Sequence, residues 1–89
     1  MAKVVPVHMQ QFVPLSELPC GHSAVICSVH GTGPMYERLQ DLGFTENSLV
    51  TCLYPSAFGD PRAYQIRGTV IGLRAADALN VMCMYGGVI

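Results

Sequence analysis

Apolar positions along the chain come in short runs separated by turn-forming clusters. From Ser23 to Val29 the residues are small or β-branched, the composition of a strand. "HGTGP" follows as a loop with two glycines, and Pro34 suits the first position of a helix. In "PMYERLQDLGF", Met35, Leu39 and Leu42 stand at i, i+4 and i+7, a two-turn apolar stripe with Glu37, Gln40 and Asp41 directed away. Gly43 is the expected terminator. A second strand is predicted from about Leu49 to Tyr54, then a loop, "PSAFGDP", with strong turn chemistry. "RAYQIR" alternates as a third strand and "TVIGLR" makes a fourth, so Tyr64–Leu73 reads as a hairpin hinged at Arg67–Gly68. "RAADALN" has room for a helical turn or two, and "VMCMY" is a last short strand.

Ahead of these elements, residues 1–14 are rich in Val and Pro. Pro6 and Pro14 argue against a helix and against a central strand, leaving an extended arm or an edge strand. "LSEL" at Leu15–Leu18 can form one short turn. The predicted organisation is therefore an N-terminal arm over 1–14 and a mainly β domain over 15–89. About five short strands, one short α-helix and a helical turn, with few connecting residues, suit a small, strongly bent barrel.

Composition narrows the function classes. The 89 residues are 51% apolar and only 12% charged, where about a quarter charged is usual. Apolar surface is therefore expected to be covered by a partner or by self-association. The net charge of −1 comes with no basic tract, so binding to nucleic acid by phosphate neutralisation is not expected. No apolar run approaches a membrane span, and the N-terminus has no continuous apolar stretch of the kind a secretion signal carries. A cytoplasmic protein is the expectation, with its four cysteines reduced rather than paired as a disulfide framework.

"CGHSAVICSVH", Cys20 to His30, places two cysteines and two histidines within eleven residues, and thiolate and imidazole are the usual zinc ligands. Cys27 and His30 are an odd number of residues apart on a strand, on opposite faces unless a bulge intervenes. Cys20 and His22 are two apart, yet a structural zinc site takes four ligands, and His8 sits in the arm. No resident cofactor is expected. The alternative is zinc or iron held by Cys20, His22 and a neighbouring molecule's residue. Cys52 and Cys83, each two residues after a valine, read as small buried hydrophobes. No nucleophile–base–orienter set is present: Glu37 and Asp41 read as a solvated helix face, and Asp60 as a turn residue bonding its own backbone. An enzyme is not expected.

Taken in order, "MYERLQDLGFTENSLVTC", "PSAFGDPRAYQIRG" and "TVIGLRAADALNVMC" resemble the FeoA family, small accessory proteins of bacterial ferrous iron uptake. The residues that carry the resemblance are Arg38–Leu39, Leu42–Gly43, Gly59–Asp60–Pro61, Ile71, Leu73–Arg74 and Ala78. One departure is Asn47, where the family usually has glycine; Asn tolerates the left-handed conformation next best. The resemblance implies an SH3-like barrel and a non-enzymatic adaptor that binds the cytosolic part of the FeoB GTPase-permease, meeting the membrane only through that partner. The sequence supplies the contact candidates: Tyr36, Arg38 and Leu42 on or beside the helix, and Phe58 and Arg62 flanking the G-D-P turn. Arg38 and Arg74 are alternatively anchors for loop carbonyls. Two other readings stand beside the adaptor. One is a metal-binding or metal-responsive domain related to the C-terminal domain of iron-dependent repressors, without their helix-turn-helix. The other is a self-assembling module in which the arm adds a strand to a neighbour.

Overall fold

A computed structural model describes residues 10–86. Six antiparallel strands form one sheet: β1 (Gln10–Pro14), β2 (Ser23–Val29), β3 (Leu49–Pro55), β4 (Arg62–Ile66), β5 (Thr69–Leu73) and β6 (Val81–Gly86). The helices are α1 (Pro34–Leu42) and the short α2 (Ala75–Ala78), with a 3-10 turn at Leu15–Glu17. The sheet order is β1-β6-β2-β3-β4-β5.

The extra strand relative to the expected five is β1. The end of the arm pairs with β6, from Gln10 opposite Gly86 to Pro14 opposite Met82. Its position at the end of the sheet is where a proline is tolerated, because no further neighbour needs the missing N–H. His8 and the rest of 1–9 lie outside the described residues.

Period-two burial builds the core. Ala24 and Ile26, Val50 and Cys52, Tyr64 and Ile66, and Val81 and Cys83 all face inward. Leu15, Leu18, Leu39, Phe44, Leu73 and Ala78 complete it, with Met35 and Leu42 packed against it from α1. The predicted apolar stripe of α1 is thus the buried one. The sheet bends at two register shifts, between Ile26 and Ser28 in β2 and between Cys52 and Tyr54 in β3, and such bulges increase local curl.

Local chemistry sets the turns. Gly43 ends α1 at φ 105° and passes its N–H to the Gln40 and Leu39 carbonyls, an arrangement open to a residue without Cβ. Asn47 is left-handed at φ 68°, and its N–H donates to the Ile26 carbonyl at 2.8 Å. Asn therefore does occupy the turn conformation that glycine would. Arg67 and Gly68, at φ 51° and 76°, form the two-residue turn of the β4–β5 hairpin.

Candidate functional site

The sheet presents an apolar row on its outer face. Phe12 pairs with Met84, Met84 with Val25, and Val25 with Leu49, so four apolar side chains line up across β1, β6, β2 and β3. Directly paired residues point to the same side. Phe12 is 66% exposed, Leu49 62% and Val25 39%. Beside this row runs a second, Ser23–Thr51–Gln65–Val70, set by the same pairing. Ser23 and Thr51 hydroxyls are bonded to each other at 2.7 Å.

Two shallow grooves flank Leu49. One, of about 440 Å³, is lined by Ser48, Leu49, Thr51, Gln65, Arg67 and Gly68. The other, of about 210 Å³, runs along the Val25–Met84 pair towards Tyr85. Arg67 is the single charged side chain lining the larger groove, and it is steadied by Thr45 Oγ1 at 3.1 Å. The arrangement suits an apolar partner segment with a carboxylate at its rim; it offers no acid–base pair for catalysis.

The residues suggested by sequence fall into two groups. Phe58 sits on the loop between β3 and β4 and is 95% exposed, free to be offered to a partner. Tyr36 and Leu42 are half-buried on α1, and Arg38 is exposed there. Arg62 faces inward on the domain itself. Its Nη1 donates to the Leu18 carbonyl at 2.8 Å, and its Nη2 to the carbonyls of Leu15, at 2.9 Å, and Ser16. Its guanidinium also lies 5.4 Å from the centre of the Tyr64 ring. The carbonyl-anchoring role that sequence suggested for Arg38 and Arg74 thus belongs to Arg62; Arg38 and Arg74 are both exposed.

Asp60 also differs from expectation. Instead of bonding its own turn, its Oδ1 accepts the backbone N–H of Ala75 at 2.8 Å, capping the first turn of α2.

The histidines are dispersed, while Cys20 and Cys52 lie together. Among the described residues no three His, Cys, Asp or Glu side chains gather as a metal site. The His22 ring packs edge-on against Tyr85, centroids 5.8 Å apart. His30 Nε2 pairs with Ser28 Oγ at 3.0 Å, and Cys27 falls in the β2 bulge. Cys83 is buried against the Val13 carbonyl, and burial pushes its thiol up to about 11. Cys52, also buried, donates to Cys20 Sγ at 3.3 Å; burial and that bond push its thiol up to about 11 against the pull of Arg62.

Sequence reasoning missed the Phe12–Met84–Val25–Leu49 row. A signal was present: β6 is apolar at every position before Gly86 and β2 runs apolar from Ala24 to Cys27, a pattern of strands covered on both faces.

Comparison with known proteins identifies the chain. The FeoA domain model matches residues 13–84. A fusion protein of Porphyromonas gingivalis, Fe(2+) transport protein A joined to the Fe(2+) transporter FeoB, is 34% identical over 67 residues, which cover 75% of this chain and 8% of the fusion. The chain therefore spans a small part of that relative. The zinc-complexed FeoA of Stenotrophomonas maltophilia, a prokaryotic SH3 domain protein, is 31% identical with a TM-score of 0.70, covering 81% of this chain and 94% of that one. A manganese-dependent transcriptional repressor shares the fold alone, at 15% identity and a TM-score of 0.71, covering 91% of this chain and 42% of that one. With an SH3-like fold and a family match across most of its length, this chain belongs to the FeoA domain family.

Proposed function

We propose that the protein is a cytoplasmic, non-enzymatic adaptor of ferrous iron uptake that binds the cytosolic GTPase region of a FeoB-type permease. The observation that carries this reading is the fused relative, in which a homologous domain is covalently joined to FeoB. Fusion raises effective concentration, and it is useful where the two parts must meet. The outer apolar row Phe12–Met84–Val25–Leu49 supplies a surface to be covered, Arg67 supplies a cation beside Leu49, and Phe58 offers an exposed aromatic on the separate β3–β4 loop. Aromatic and arginine side chains are the usual centres of binding energy at interfaces.

The test is calorimetric titration of the full chain with the isolated GTPase region of a FeoB-type permease, beside iron uptake in cells deleted for the chain. Saturable binding that Leu49→Lys weakens, with reduced uptake on deletion, supports the adaptor. No binding together with unchanged uptake overturns it. A concentration-dependent dimer that Leu49→Lys dissociates, without permease binding, would assign the same row to self-association.

A further inference from the structure

We propose that Cys20 and Cys52 form a reactive dithiol that exchanges with low-molecular-weight disulfides and closes to an internal disulfide. The proposal is independent of the permease.

The two sulfurs come from positions 32 apart in the chain and lie 3.3 Å from each other. The backbone holds them there. Gly21 N–H donates to the Cys52 carbonyl at 2.6 Å, and Cys52 N–H donates to the His22 carbonyl at 3.0 Å. The turn that carries Cys20 is thus laced to β3 on both sides of the pair. Among the described residues no third His, Cys, Asp or Glu joins the pair as a metal site. A disulfide bond of about 2.0 Å requires a further approach of a little over an ångström, within the reach of side-chain rotation.

The two thiols have different access and so different roles. Cys20 is exposed and Cys52 is fully buried. Arg62 Nη1 lies 4.0 Å from Cys20 Sγ, and the Cys52 thiol donates to that same sulfur. Cys20 is therefore the sulfur that meets a small disulfide first. Its thiolate attacks one sulfur of that disulfide, the old S–S bond breaks, and one small thiolate leaves and takes a proton. A mixed disulfide on Cys20 remains. Cys52 then loses its proton, attacks the Cys20 sulfur, and expels the second small thiolate. One S–S bond has been broken and one formed; the protein is oxidised by two electrons, and the small disulfide is reduced to two thiols. Burial, the largest cause of the raised Cys52 thiol, persists in the mixed disulfide, so the second step quickens as pH rises, in proportion to the thiolate fraction of Cys52.

The experiment treats the folded full chain with glutathione disulfide, quenches by alkylation, and maps the products by peptide mass spectrometry, with a Cys27→Ser variant to simplify assignment. The expected result is a Cys20–Cys52 linkage reversed by dithiothreitol. Cys52→Ala should instead retain glutathione on Cys20, and Cys20→Ser should leave Cys52 unmodified. A glutathione adduct on wild-type Cys20 that never closes, a linkage through Cys27 or Cys83, or no reaction at Cys20 overturns the proposal. The wild-type mapping decides the matter even if a variant fails to fold.

Discussion

Arg62 Nη2 donates to the carbonyl oxygen of Leu15, 2.9 Å away and 47 residues earlier in the chain. With its bonds to Ser16 and Leu18, the guanidinium closes a turn whose carbonyls have no strand to pair with. Hydrogen bonds to a charged donor contribute about 1.5–3 kcal/mol each when a partner is removed, and are not additive. Arg62→Ala is expected to destabilise the domain by about 2–3 kcal/mol in urea unfolding. Arg62→Lys should recover less than half of that, since an ammonium lacks the planar fork. An Arg62→Ala protein as stable as wild type would remove Arg62 from the framework and return it to the contact residues.

The Asp60 carboxylate and the Ala75 N–H make a cap between two segments 15 residues apart. Loss of a capping oxygen costs about 1 kcal/mol. Asp60→Ala should lower the thermal midpoint by about 4–8 °C, and Asp60→Asn, which keeps an acceptor oxygen, by less than half as much. Equal losses for both variants would show that charge, not the acceptor, matters there.

Asn47 stands left-handed, at φ 68°. A residue with an ordinary Cβ pays about 1–2 kcal/mol in that region. Asn47→Ala should destabilise by about 1 kcal/mol, while Asn47→Gly should stay within about 0.5 kcal/mol of wild type, relief of strain offsetting the greater freedom of the unfolded chain. Chemical denaturation of the three proteins side by side checks the order.

Alkaline pH should loosen the fold. Cys52 and Cys83 are raised from about 9 to about 11, chiefly by burial. Above pH 9 the unfolded chain releases these protons while the folded chain keeps them, so stability falls as pH rises from 9 towards 11. Below pH 9 both states hold the protons and the two thiols contribute no slope. The denaturation midpoint measured against pH under reducing conditions should bend downward in that window, and Cys83→Ala should flatten part of the bend. An unchanged curve in that variant would count against a buried, protonated Cys83.

The exposed row predicts a separation of stability from binding. Leu49→Lys replaces a 62% exposed side chain and should alter folding stability by no more than about 0.5 kcal/mol. It should weaken binding to the permease GTPase region at least tenfold, the range of an interface anchor. Unfolding and calorimetry on the same preparation read both quantities; unchanged affinity would move the contact off this face.

Period and turn chemistry are local, and they were legible before any coordinates. The strands Ser23–Val29 and Thr69–Leu73, the helix over Pro34–Leu42, the stop at Gly43 and the Arg67–Gly68 hairpin all follow from residues within a few positions of one another. The ordered motifs likewise carried the family. What the folded chain alone decided is which distant residues meet. Nothing near Arg62 in sequence points to Leu15, nothing near Asp60 to Ala75, and nothing near Cys20 to Cys52. Phe12, Met84, Val25 and Leu49 become one surface only because β1 and β3 flank β6 and β2 in the sheet. Side-chain period tells which face a residue takes; strand order and register, set by packing of the whole core, tell which neighbours share that face.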